Sequence, residues 1–166
     1  SGIGSVVHLG MELINYKAGI NILHVPYKGS AEMLTDLMSD RVQAAIINSL
    51  SAKPFITSGK VKAIAVTSRE RTPVLPDVPT VAESGIAGFS AYSWNGISTK
   101  AGTPKPIVDR MSREINIALA DKTVIEKMRE IGAEARGSTP EETRKLMISE
   151  IAKWKAVIER AKIPLQ

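Results

Sequence analysis

The sequence predicts an α/β domain, and three observations carry the prediction. Short runs rich in Val and Ile at 20–25, 42–47 and 61–67 alternate with helically spaced apolar residues through the first 67 positions. Two of the helical runs open directly behind glycine and a hydroxyl residue, at Gly4-Ser5 and at Gly29-Ser30. Beyond 99 the alternation ends and only helical spacing continues. With 166 residues, 43% of them hydrophobic, the chain has material for one domain core or for two small lobes.

The first helix is expected over 6–16 and is stopped by Ala18-Gly19, since glycine enters the left-handed region at little cost. Residues 20–25 read as a strand that turns at Pro26 and Gly29 into a helix over 32–38, whose apolar face is Met33, Leu34, Leu37 and Met38. The nearly continuous apolar run 42–47 suits a strand buried on both faces. It ends in Asn48-Ser49, and a short helix over 51–57 and a second buried strand over 61–67 follow. Pro73, Pro76 and Pro79 break 68–88 into an ordered surface excursion, with one helical turn at 80–84 and Val74, Leu75, Val78 and Val81 to bury.

Residues 89–98 read as extended. Thr103 and Pro104 are expected as cap and first residue of a helix carrying Ile107, Met111, Ile115 and Ala118 on one face. A second helix is expected over 123–131, one short strand over 133–136, and a long final helix behind the capping box Thr139-Pro140-Glu141-Glu142. These three helices present apolar faces with hardly any strand to cover. They either pack back on the first lobe or belong to a lobe whose sheet lies outside this chain, and an uncovered face favours self-association or a partner chain.

Composition narrows the function. Twenty-two basic against seventeen acidic residues give +5, spread without a basic run, and aromatic content is 4%, which argues against nucleic-acid binding and suits an organic anion. The absence of cysteine removes disulfides, thiolate catalysis and cysteine metal sites. His8 and His24 lack the spacing of two ligands on one helix face, so neither a metal nor a cofactor is expected. No run approaches the ~18 apolar residues of a membrane helix. A triad of serine, His8 or His24 and Asp36, Asp40 or Asp77 exists only on paper, because no Gly-x-Ser-x-Gly elbow accompanies it. Glu12, Glu32 and Glu83 read as solvated carboxylates and His24 as a packed structural residue.

What remains is anion capture at helix N-termini, where first-turn amides lack intrahelical acceptors and the helix dipole is positive. The candidates are Gly4, Ser5 and His8 at the first helix, Tyr27, Gly29, Ser30 and Ala31 at the second, and Asn48 at the strand end. Ser30 reads as the cap of the second helix, and the Asn48 amide can both donate and accept. The plainer reading of the same Pro, Gly and Ser residues is a simple connection.

Five stretches taken together carry a resemblance. Gly4-Ser5-x-x-His8-Leu9, His24-Val25-Pro26-Tyr27-Lys28-Gly29-Ser30, Ala63-Ile64-Ala65-Val66-Thr67-Ser68, Leu75-Pro76-Asp77-Val78-Pro79-Thr80-Val81-Ala82-Glu83-Ser84-Gly85 and Ala101-Gly102-Thr103-Pro104 resemble the tripartite tricarboxylate transporter substrate-binding proteins, the Bug or TctC-like receptors. The resemblance implies a periplasmic receptor of type II periplasmic-binding-protein-like fold, with two α/β lobes that close on a small organic carboxylate and deliver it to membrane transporter subunits without catalysis. It implies ligand contacts from Gly4, Ser5, His8, Tyr27, Gly29, Ser30, Ala31 and Asn48, through amides, hydroxyls and bridging waters.

On this resemblance, 1–98 is the second lobe with a mainly parallel sheet. Residues 99–166 are the hinge and the C-terminal helices that return to a first lobe, whose sheet and whose signal peptide are not in this sequence. Ile47 departs from the aspartate many members carry there. Half a cleft is expected to bind weakly or not at all unless another copy supplies the missing wall. An effector-sensing domain of a transcriptional regulator would share the fold, and a small hydrolase is the more distant alternative.

Overall fold

Six helices form among the described residues: α1 (Val6–Ala18), α2 (Ser30–Met38), α3 (Ser49–Thr57), α4 (Lys105–Ala120), α5 (Lys122–Glu130) and α6 (Pro140–Arg160). The structure, a computed structural model, describes residues 2–163. They divide into two units. Trp94–Lys153 is one, and the rest of the described chain, with α6 from Trp154 onward, is the other.

In the first unit α1 supplies the organising surface. Its start is fixed by Ser5, whose hydroxyl accepts from the His8 N–H, and its end by Gly19 at φ 65°, whose N–H reaches the Asn15 carbonyl. Leu9 and Leu13 face inward and meet Val81, Phe89, Ala91 and Val157 in the core. Phe89 is 1% exposed. Burying an aromatic ring to that extent stabilises the fold by about 1.5–3 kcal/mol from area alone. Gly10 allows the close approach: a Cβ there would stand 3.3 Å from Ala91 Cβ and 3.7 Å from Ile46 Cδ1. Arg160, in the last turn of α6, lays its guanidinium 4.1 Å from the centre of the Tyr16 ring.

The mainly parallel sheet is not assembled among the described residues. One parallel bridge, Val66 with Thr80, stands in its place. Val66 donates to the Pro79 carbonyl at 2.8 Å and accepts from the Val81 N–H at 2.9 Å, and Ala91 donates to Thr67 at 2.8 Å. A ladder needs a neighbour about 4.8 Å away that offers alternate N–H and C=O groups. Residues 20–25 instead lie against α1, and Leu23 is 86% exposed. The short strand expected over 133–136 is also absent. Gly132 takes φ 73° and the Ala133 N–H closes on the Met128 carbonyl, which spends this segment on ending α5.

The proline-rich excursion is ordered, as its spacing predicts, and Glu83 is exposed as expected but has a capping role that its spacing did not announce. The Thr80 N–H donates to Glu83 Oε2 at 2.6 Å and the Glu83 N–H to Thr80 Oγ1 at 3.0 Å, a reciprocal capping box. Arg71 Nε donates to both Glu83 oxygens at 3.1 Å.

In the second unit the caps are again local. Thr139 and Glu142 form the expected box, at 2.8 and 3.2 Å. Helix α4 begins one residue later than expected: Pro104 is the N-cap, and the Thr103 hydroxyl turns back to the Lys100 carbonyl. Asp121, not anticipated, caps α5 by accepting from Thr123 and Val124. Neither α4 nor α5 buries a residue, and Ile107, Ile117, Met147, Ile148 and Ile151 are exposed. The surplus of apolar helix face over strand is thus present in the folded chain.

The Thr80 N–H, followed by the Arg71 guanidinium, holds the Glu83 carboxyl below its ordinary value of 4.5. A depressed folded-state value contributes stability above the unfolded value and loses it as pH falls through the folded one. Glu83→Gln removes that contribution. The variant's melting temperature should therefore fall less than the wild type's between about pH 6 and about pH 3, while equal falls would contradict the assignment.

Candidate functional site

The first candidate group is brought together by α1. Gly4, at φ 79°, turns the chain so that Ser5 caps the helix. The Gly4 N–H donates to His8 Nδ1 at 3.1 Å, and the Ser5 hydroxyl accepts from the His8 N–H at 3.3 Å. His8 is buried, with Nε2 3.7 Å from Glu12 Oε1. Its Nδ1 is thus an acceptor already in use, and the ring is not aligned as a base on Ser5. That geometry does not support a serine hydrolase.

His8 also connects this group to the second. The rings of His8 and His24 stack at 3.9 Å with an interplanar angle of 19°. One end of residues 20–25 is held there. The middle is held by Asn15, whose Nδ2 donates to the Ile22 carbonyl at 3.1 Å and whose Oδ1 accepts from the Ile22 N–H at 3.0 Å. His8 and Asn15, seven apart, share a face of α1, and that face meets the His24 ring and the Ile22 backbone. The chain leaves α1 at Gly19, runs back antiparallel along it, and reaches its first turn at His24. Helix α2 opens six residues later.

At that second N-terminus the cap is Gly29, not Ser30. Gly29 is extended, at φ −159° and ψ 171°, and Ser30 is the first helical residue, so no side chain caps α2. The first-turn amides of Ser30 and Ala31 therefore lack the acceptor that Ser5 gives α1 and Asn48 gives α3. Tyr27 stands beside this turn with its hydroxyl committed, donating to Asp36 Oδ2 at 2.9 Å, while Asp36 Oδ1 accepts from Arg41 at 3.1 Å. Burial, and then the hydrogen bond and negative charge of Asp36, push the Tyr27 phenol above 10.0.

Asn48 is the N-cap of α3, its Oδ1 accepting from the Leu50 N–H at 2.9 Å, which leaves Nδ2 to donate elsewhere. No hydrogen bond among the described residues joins it to either of the other groups. The open depression of about 490 Å³ over Arg69, Arg71, Thr80 and Glu83 shares no residue with the candidate site. Among the described residues no group of three His, Cys, Asp or Glu side chains is placed to hold a metal ion. Sequence reasoning missed Asn15, and it named Asp36 only as the acid of a paper triad, not as the partner of Tyr27. The available signal for Asn15 was an amide seven residues past His8, on the same helix face.

Comparison with known proteins adds the following. The family described as tripartite tricarboxylate transporter family receptor matches residues 1–163. A protein of Pseudomonas sp. (strain P51), described as a UPF0065 protein in the tcbD-tcbE intergenic region, is 38% identical over 159 residues, covering 95% of this chain and 47% of that protein. The chain therefore spans about half the length of that relative. A solved R. palustris protein with adipate is 39% identical at a TM-score of 0.75, over 96% of this chain and 54% of its own. The structure of the periplasmic binding protein BugD is 37% identical at a TM-score of 0.73, over 100% of this chain and 56% of its own. The fold is accordingly periplasmic-binding-protein-like.

Asp36→Asn keeps a hydrogen-bond acceptor for Tyr27 and removes the charge. In an ultraviolet titration the Tyr27 ionisation should move back toward 10.0 without reaching it, because burial persists. An unchanged titration would show that Asp36 does not act on the phenol.

Proposed function

The chain belongs to the tripartite tricarboxylate transporter receptor family, and from that membership we propose that it is the ligand-holding part of a periplasmic receptor. The receptor captures a small organic carboxylate and hands it, chemically unchanged, to the membrane subunits of the transporter. The observation that carries this reading is the uncapped first turn of α2. Its Ser30 and Ala31 N–H groups have no side-chain acceptor, and a carboxylate supplies one while facing the positive end of the helix dipole. Adipate, the molecule in one solved relative, is a dicarboxylate of suitable chemistry.

In this reading Gly29 lets the ligand approach the backbone closely, and the Ser30 hydroxyl adds a second donor. The Tyr27 ring walls the turn while its own hydroxyl stays on Asp36. Gly4, Ser5 and His8 line the neighbouring N-terminus, and the Asn48 Nδ2 contributes from the start of α3, through water where it does not reach. Residues 1–98 are the ligand lobe, with 20–25, 42–47 and 61–67 as the strands of its mainly parallel sheet in the whole receptor. Residues 99–166 are the hinge and returning helices. The exposed apolar faces of α4 and α6 are covered in this reading by the remainder of the receptor, or by a second copy of the chain.

Ser30→Pro tests the reading cleanly. Proline is favoured at the first helical position, and the extended Gly29 before it is compatible with proline, so the helix keeps its stability while one first-turn N–H and the hydroxyl disappear. A hydrogen bond to a charged group contributes about 1.5–3 kcal/mol, so adipate affinity should fall about 10- to 100-fold, and Ser30→Ala should lose less. Amide shifts of the isotope-labelled chain on titration with adipate provide the readout. Wild-type shifts that leave 29–32 untouched, or a Ser30→Pro variant that binds as well as the wild type, would overturn the reading.

A further inference from the structure

Asn15 is a buried amide whose two polar ends both serve one backbone residue, Ile22. Ile22 is the centre of a segment that has no ladder beside it. A carboxamide offers the same donor and acceptor as a peptide group, so Asn15 acts as one residue of a neighbouring strand, mounted on a helix. We propose that Asn15 is a positioning residue for the ligand-holding turn at 26–31, which it never touches. Together with the His8–His24 stack it fixes residues 20–25 at two points. The turn begins two residues past the second of these, and its direction is set by the segment it leaves. Asn15 shares its helix face with His8, so one face of α1 carries both anchors. An apolar residue there would leave the Ile22 N–H and C=O to solvent and free the segment from this anchor. The consequence for affinity rests on the carboxylate reading above, whereas the consequence for the turn does not.

Asn15→Asp separates positioning from packing, because it changes shape very little and its hydrogen bonding depends on pH. The ionised carboxylate still accepts from the Ile22 N–H but repels the Ile22 carbonyl. The protonated carboxyl regains a donor and restores both bonds. Burial beside a carbonyl oxygen favours the neutral form and raises the pH at which it is reached. Other titratable groups face this region: His8, Glu12, Tyr16 and Lys17 on α1, His24 on the segment and Arg160 on α6. They are common to both proteins, and the wild-type profile subtracts them.

The measurement is the amide spectrum of the isotope-labelled chain at about pH 7.5 and about pH 5, in wild type, Asn15→Asp and Asn15→Leu. The expected result is that Ile22 and 27–31 are displaced in Asn15→Asp at the higher pH and return to wild-type positions at the lower one. Asn15→Leu should stay displaced at both, and the amides of α4 and α5 should not move in any of the three. If 27–31 keep their wild-type positions in Asn15→Asp, or fail to recover at low pH, Asn15 does not position the turn. Loss of dispersed signals throughout the first unit at the higher pH would overturn the proposal in favour of a purely structural role. Adipate added to the same samples should bind about tenfold or more weakly wherever the turn is displaced. Wild type that ignores adipate while the turn still follows pH would sink the carboxylate reading and leave the positioning role standing.

Discussion

The segment 20–25 has to satisfy its backbone without a strand at its side, and the arrangement of the first unit follows from how it does so. Buried or half-buried N–H and C=O groups must find partners, and here helix α1 provides one through Asn15 rather than through its own committed backbone. The same face of α1 offers His8 to stack on His24. These contacts bring the chain back to the start of α1 before α2 begins, so two helix N-termini follow one another within a short stretch. One of them, at Ser5, has a side-chain cap of its own, whereas the other, at Gly29, has none. The second therefore has donors to offer a ligand.

The run 75–85, the most recognisable stretch of the sequence, belongs to the scaffold. Val66 is bonded on both sides by residues of that run, through the Pro79 carbonyl and the Val81 N–H. Thr80, Glu83 and Ser84 spend their polar atoms on one another's backbone, and Arg71 closes the cluster on Glu83. A stretch can identify a family because it builds the fold. The side chains of Thr80, Glu83 and Ser84 are occupied internally and have little left for a carboxylate.

Features that depend on near neighbours were legible in the sequence. The Thr139–Glu142 box, the glycine stops at 19 and 132 and the ordered proline-rich excursion each rest on residues a few positions apart. Pairing of strands was not legible, because the apolar runs at 42–47 and 61–67 specify burial but not which neighbour supplies the ladder. The error at Ser30 has a similar source: a hydroxyl next to glycine satisfies the cap pattern equally well one position either way, and only the backbone angles of Gly29 decide it. Asn15 was passed over because a lone amide on a helix reads as solvated until its partner, seven residues away across a turn, is in view. Asp121 was hidden by Thr123, the hydroxyl residue two positions on at which the helix was expected to begin, although the Asp121 side chain accepts two first-turn N–H groups.

The most direct test is a crystal structure of the protein grown with adipate. The account predicts a carboxylate oxygen within about 2.7–3.2 Å of the Ser30 and Ala31 amide nitrogens, with the Tyr27–Asp36 hydrogen bond intact beside it. Adipate lodged in the depression over Arg69 and Arg71, or on the apolar faces of α4 and α6, with the first turn of α2 facing only water, would contradict it.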